Sequence, residues 1–141
     1  CFGAYVAQVA DVSVNENGVV KVDRIVAAVD IGPVVNPNAV LAQVEGSIVE
    51  GVSTALKEEV EFANGGVKSA NFDDYKIIRM SEVPEIEVHI VKSNEPIGGI
   101  GEPGVTPTAP AVANAVFNAT GARIRRLPLT PQTVLAAIKN K

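Results

Sequence analysis

Seven residues, Gly98-Gly99-Ile100-Gly101-Glu102-Pro103-Gly104, set one carboxylate among four glycines and a proline. Glycine loses more backbone freedom on folding than any other residue and fills no core. A glycine-dense loop around an ionisable group therefore implies that something approaches the backbone closely. Glu102 is the first candidate for chemistry, because a carboxylate held in such a loop can reach a reacting atom, and burial moves a carboxylate pKa toward the range useful to a general base. The bland alternative is a solvated loop carboxylate, and the local sequence leaves both open.

Gly99, Gly101 and Gly104 also match the pattern G-x-G-x-x-G, after a predicted strand and before a predicted helix. The dinucleotide-binding reading fails on chemistry. Glu102 would set a negative charge where a pyrophosphate belongs, Pro103 removes an amide donor, and no acidic residue follows about 20 positions on to hold a ribose.

Other candidates carry less. Gln43 offers a donor and an acceptor to a polar ligand. His89 has no cysteine or second histidine near it in sequence, which argues against a metal site. Asp73 and Asp74 are adjacent rather than opposed, so they lack the separation that paired acid and base catalysis requires. Arg123, Arg125 and Arg126 form the only local basic cluster and read as a solvated edge or an ion-paired interface.

Composition bounds the rest. The 141 residues are 47% hydrophobic and 20% charged, enough for one soluble domain with a real core. A net charge of −4 without a long basic run argues against nucleic acid as the main partner. The single cysteine, Cys1, excludes an internal disulfide, and no apolar run approaches the roughly 20 residues that span a bilayer. Beginning with Cys1-Phe2-Gly3 and entering a strand pattern almost at once, the chain is expected to be a piece of a larger polypeptide. Compartment stays open.

The elements that position these groups follow from periodicity and punctuation. Residues 4–14 alternate as a strand, turn at Asn15–Gly18, and return as a strand over 19–29. Asn36-Pro37 supplies a helix cap and first residue, and Val40, Leu41, Val44, Ile48, Val52 and Leu56 form one apolar stripe on the helix that follows. Gln43, Gly46, Ser47 and Glu50 share another face, where Gly46 and Gly51 allow close approach by backbone or ligand. Residues 58–62 and 67–70 flank Asn64-Gly65-Gly66 as a second hairpin, and 72–80 is ambiguous. Residues 85–91 form a strand with Ile86, Val88 and Ile90 on one side and Glu85, Glu87 and His89 on the other. Residues 92–107 show no periodicity, a length of irregular chain more often functional than filler. Thr108 is expected to cap a helix ending at Thr120-Gly121, and Thr130-Pro131 to start a last helix carrying Val134, Leu135 and Ile138. The fold class is α+β: antiparallel hairpins and a mixed sheet packed with one long and two shorter helices, residues 1–141 forming a single domain.

Five stretches in this order look familiar together. They are Asp30-Ile31-Gly32-Pro33-Val34-Val35-Asn36-Pro37, Ala42-Gln43-Val44-Glu45-Gly46, Asn71-Phe72-Asp73-Asp74-Tyr75, Gly98 to Gly104, and Ala109 to Asn114 with Thr120-Gly121. Over about residues 4–129 the chain resembles the C-terminal part of the molybdenum-binding large subunit of the xanthine dehydrogenase and aldehyde oxidase family. Arg79-Met80-Ser81-Glu82-Val83-Pro84 and Arg123-Ile124-Arg125-Arg126-Leu127-Pro128 look closest to the branch that holds the beta subunit of isoquinoline 1-oxidoreductase.

The resemblance implies a hydroxylase that places water-derived oxygen on the carbon of an aldehyde or N-heterocycle. It implies Glu102 as the base that activates the attacking oxygen and Gln43 as a contact to the molybdopterin, with Gly101 letting the cofactor close to the backbone. Family enzymes hold molybdenum through the pterin, so no protein metal ligand is expected here. The branch further implies the cytosine dinucleotide form of the cofactor and a small iron-sulfur subunit as partner, in addition to the remainder of the large subunit. That subunit is several times longer than this chain, so an isolated piece is expected neither to retain the cofactor nor to turn over substrate. The other class of reading is a non-catalytic interaction or structural domain that kept the fold.

Overall fold

The computed structural model describes all 141 residues, Cys1–Lys141. Strand β1 (Tyr5–Val14) and strand β2 (Val20–Asp30) form the antiparallel hairpin that alternation predicts. The turn between them is tied by Asn15, whose side chain accepts from the amides of Asn17 and Val19. Asp23 has no partner on β1, because Asp11 pairs with Arg24 and Val12 with Val22. This bulge returns Val22 and Val20 to the inner face beyond it, so both strands keep their apolar rows against the core.

After β2 the chain crosses over through helix α1 (Pro37–Leu56). The Asn36 side chain accepts from the Ala39 amide and Pro37 fills the first turn, as the local signals require. Val44, Ile48 and Val52 are completely buried, and each such side chain is worth about 1.5–3 kcal/mol of transfer free energy. Leu41 and Leu56, at the edge of the stripe, are half-buried.

The second hairpin is shorter than the sequence suggests. Strands β3 (Phe62–Ala63) and β4 (Gly66–Val67) hold two residues each, and the turn is Asn64-Gly65 alone, both with positive φ. One further backbone bond, from the Lys68 amide to Glu61 O at 2.8 Å, continues the pairing, and residues 58–60 and 69–70 leave it because this ribbon has no buried face to extend it: all four of its strand residues are exposed. The ambiguous stretch proves irregular up to a single 3₁₀ turn at Met80–Glu82.

Strand β5 (Glu85–Ile90) then pairs with β2 in parallel, giving the mixed order β1-β2-β5. Ile86, Val88 and Ile90 pack against the core from this strand. Residues 91–107 contain no regular element, and helix α2 (Thr108–Thr120) closes the inner face of the sheet by packing on β1 and α1. Gly121, at φ 71°, stops it in the left-handed conformation. Helix α3 (Pro131–Lys139) begins at Thr130, whose side chain accepts from the Thr133 amide, and seats Val134 in the same core.

One expectation fails at α2. Thr108 is the first helical residue rather than the cap; Pro107 precedes it and the Thr108 hydroxyl is engaged elsewhere.

Candidate functional site

The irregular 91–107 segment is held along its first half by bonds to backbone in or next to strands β1 and β2. The Val91 amide donates to Val29 O (2.8 Å), the Gly98 amide to Ile31 O (2.9 Å) and the Gly99 amide to Phe2 O (2.9 Å). Asp30 adds a polar pin at the end of β2, where its Oδ1 accepts from Ser93 Oγ at 2.5 Å and from the Gly32 amide at 3.1 Å. The Ser93 bond, followed by the Gly32 amide, holds the Asp30 carboxyl below its ordinary range. Gly32 leaves no room for a side chain, since a Cβ there would stand 2.4 Å from Glu95 O.

Beyond Gly99 the loop runs onto α1. Gln43 Nε2 and Ser47 Oγ both reach Gly101 O at 3.5 Å, long contacts that place the helix face predicted for ligand approach directly against the glycine loop. Gly104 is pressed on the same helix so closely that a Cβ would lie 2.7 Å from Ser47 Cβ. Gly51, on that helix, faces protein instead of ligand: a Cβ there would stand 2.5 Å from Thr108 Cβ. Gly46 is the open one, with nothing within 4 Å.

Glu102 therefore sits between two fixed points, Gly101 and Gly104. Its backbone carbonyl accepts from the Val105 amide (3.0 Å), while its side chain is exposed. The burial expected of a base is not supplied by these residues. Gln43 and Gly101 are exposed as well, so the three candidates line an open surface rather than an enclosed pocket.

The largest concavity, about 650 Å³, lies elsewhere, between the end of α1 and residues 72–79. Part of its polar lining and rim is engaged within the protein. Lys57 binds both carboxylate oxygens of Glu82 at 2.5 and 2.6 Å, Tyr75 donates to Glu58 at 2.6 Å, and Lys76 donates to Asp73 O at 2.5 Å.

The lesser candidates settle into structural roles. His89 Nε2 lies 2.7 Å from Glu87, whose carboxyl is held below its ordinary range first by Arg24 and then by His89. Arg123 covers the Phe117 ring at 3.7 Å and donates to Asn114, and Arg126 reaches Glu59 at 3.7 Å. Asp74 accepts from the Ala70 amide.

Gln8 is a site residue that sequence reasoning passes over. It projects from β1 to donate from Nε2 to Gly104 O (2.8 Å) while its Oε1 accepts from Thr108 Oγ1 (2.8 Å). Its signal lies in the alternation: among the inward positions Val6, Gln8, Ala10, Val12 and Val14, it is the one polar residue.

No three His, Cys, Asp or Glu side chains converge where a metal ion could be held. What the surface offers is hydrogen-bonding capacity. The amides of Ile100, Gly101 and Glu102 have no backbone partner, and the exposed carboxamide of Gln43 keeps its oxygen unengaged. Beside it Gly46 leaves bare helix backbone open. That donor set fits a polar heterocyclic cofactor that brings its own metal ligands.

Comparison with known proteins shows the family. The family model for the molybdopterin cofactor-binding domain matches residues 2–84. The isoquinoline 1-oxidoreductase of Brevundimonas diminuta, in its beta subunit, is 41% identical over 129 residues, covering 91% of this chain and 16% of the relative. A nicotinate dehydrogenase subunit from Pseudomonas putida is 42% identical over 140 residues, covering 97% of this chain and 12% of the relative. Among solved structures, the aldehyde oxidoreductase of Desulfovibrio gigas superposes with a TM-score of 0.84 at 30% identity, over 96% of this chain and 15% of that one. The chain belongs to the molybdopterin cofactor-binding domain family. The resemblance read from the ordered motifs, including its isoquinoline branch, is borne out. The chain spans only 12–16% of the length of these two curated relatives. No helix is long and apolar enough to cross a membrane.

Proposed function

We propose that these residues form the C-terminal module of the large subunit of a molybdenum hydroxylase, which oxidises the carbon of an N-heterocycle or aldehyde with oxygen derived from water. The observation that carries this reading is the meeting of Gln43 with Gly101 O, which brings the exposed carboxamide of the helix face to the loop backbone next to Glu102.

When bound, the molybdenum-pterin group supplies the two-electron redox chemistry. The chain's residues do the rest. Gln43 donates and accepts hydrogen bonds at the edge of the pterin, and Gly101 keeps a side chain out of its way. Glu102 takes the proton of the attacking water-derived oxygen at its carboxylate, general-base work worth about 10²–10⁴ in rate. The remainder of the large subunit covers Glu102, excludes water from it and lines the substrate pocket. The cytosine dinucleotide form of the cofactor and a small iron-sulfur subunit that carries electrons away belong to the same proposal.

The test is made in the complete enzyme. Glu102→Gln keeps size and polarity but cannot accept the proton, so kcat is expected to fall by at least about 10² with molybdenum content unchanged. Turnover near the wild-type rate in that variant would remove Glu102 from the mechanism.

A further inference from the structure

The face of β1 that packs on the helices contains one residue that ought not to be there. Val6, Ala10, Val12 and Val14 fill that face with hydrocarbon, and Gln8 interrupts them with a carboxamide. A polar group in such a place is tolerated only when its hydrogen bonds are made inside the protein. Those of Gln8 are made with residues 96 and 100 positions away, Gly104 and Thr108.

The geometry fixes which atom does what. Gly104 O can only accept, so the amide nitrogen of Gln8 must face it at 2.8 Å, and Oε1 must then face Thr108 Oγ1 at 2.8 Å. The Thr108 hydroxyl has a single hydrogen and lies 2.8 Å from Gln8 Oε1 and 3.0 Å from Gly104 O, closing a three-membered ring of polar groups. Thr108 is completely buried and cannot retreat, because the bare α-carbon of Gly51 lies directly against it. Gly104 cannot retreat either, being pressed on Ser47. The ring thus joins β1, α2 and the loop at one point, two residues after Glu102.

We propose that Gln8 and Thr108 are positioning residues for Glu102: through Gly104 they fix the downstream end of the carboxylate's loop, as the Gly98 and Gly99 amides fix its upstream end. This rests on the base role proposed above for Glu102. A base acts at hydrogen-bond distance, and misplacement by about 1 Å costs up to about 10² in rate, so a loop of glycines needs both ends held. Gln8 acts only through the backbone of Gly104; it is remote from the reacting atoms.

The experiment compares Gln8→Leu, Thr108→Val and Thr108→Ser in the complete enzyme, with backbone amide hydrogen exchange measured beside steady-state kinetics. Gln8→Leu continues an apolar row and is expected to fold; Thr108→Ser keeps the hydroxyl and serves as the rescue. In Gln8→Leu and Thr108→Val, exchange at the Val105 and Thr108 amides should rise by about 10-fold, while Gly98 and Gly99, anchored independently, stay as they were. kcat should fall about 10-fold with KM and molybdenum content within about 2-fold. Thr108→Ser should preserve both exchange and kcat. Unchanged exchange at Val105 and Thr108 would overturn the clamp, and faster exchange with unchanged kcat would overturn its positioning role. If instead Glu102→Gln retains turnover, the base assignment itself fails, whatever Gln8→Leu does.

Discussion

The two irregular regions of this molecule are built in opposite ways. Residues 91–107 carry few large side chains, yet they are tied to β1, β2, α1 and α2 by backbone amides and by the buried ring of Gln8, Gly104 and Thr108. Residues 58–82 carry many large apolar side chains and leave them in water: Phe72 is 95% exposed, Met80 89% and Phe62 74%. In the first region the backbone groups of Val91, Gly98, Gly99 and Gly104 find partners within the fold. In the second, apolar atoms point outward, and the ties are surface ion pairs such as Lys68–Glu61 and Lys57–Glu82, each worth little. Order in a loop thus comes from where its backbone groups find partners rather than from how hydrophobic it is. Placing chemistry in the glycine loop is consistent with that order.

The sharpest way to break the contrast is to push a methyl group into the tight region. In Gly51→Ala the new Cβ would stand 2.5 Å from Thr108 Cβ, so α1 and α2 must separate or Thr108 must leave the ring. Overpacking of this kind costs about 1–3 kcal/mol. The better helix propensity of alanine returns up to about 1 kcal/mol, which leaves a net loss of up to about 2 kcal/mol. The urea midpoint of the protein should fall accordingly, and an unchanged midpoint would show that the two helices are not in close contact at this point.

What could be read from the sequence follows the same division between local and distant partners. Asn36-Pro37, Thr130-Pro131 and Gly121 mark helix ends through bonds within a few residues of themselves, and all three behave as their local chemistry dictates. Asn64-Gly65 signals a turn equally well but says nothing about how far the strands extend; that depends on a buried face the ribbon lacks. Thr108 looks like a cap because threonine usually caps, and only the arrival of Gln8 from 100 residues away draws its hydroxyl elsewhere. The parallel pairing of β2 with β5 is equally invisible locally, since it depends on the crossover through α1. At the candidate site, the glycine spacing and Gln43 were legible as types. The exposure of Glu102 was not, because burial depends on what surrounds the loop.

A smaller effect tests the upstream tie of the same region. Asp30 has its carboxyl held below the ordinary value of 3.8 by Ser93 and then by the Gly32 amide. A carboxyl with a lowered folded-state pKa contributes stability that is present above its unfolded value and lost as pH falls through the folded one. Asp30→Asn keeps an acceptor but not the charge, so wild type should be the more stable at pH 7, and the difference should be smaller at a second, acid pH below the lowered value of the carboxyl. Urea midpoints of both proteins at the two pH values measure this; a difference that stays constant would mean the charge of Asp30 contributes nothing to holding Ser93 and Gly32.

The smallest effect separates the two glycines of α1 and so tests whether small residues there serve packing or access. Gly46 and Gly51 carry the same helix-propensity cost, but nothing lies within 4 Å of a Cβ at Gly46, whereas Thr108 blocks one at Gly51. Gly46→Ala should therefore raise stability by about 0.5–1 kcal/mol, the sign opposite to Gly51→Ala on the same helix. A residue that weakens a helix while touching nothing within the chain is not explained by packing, and Gly46 stands on the helix face of Gln43, where the proposed pterin contact requires open backbone. If Gly46→Ala instead lowers the urea midpoint, a contact is being made there within the chain itself, and the open face assigned to the cofactor is not open.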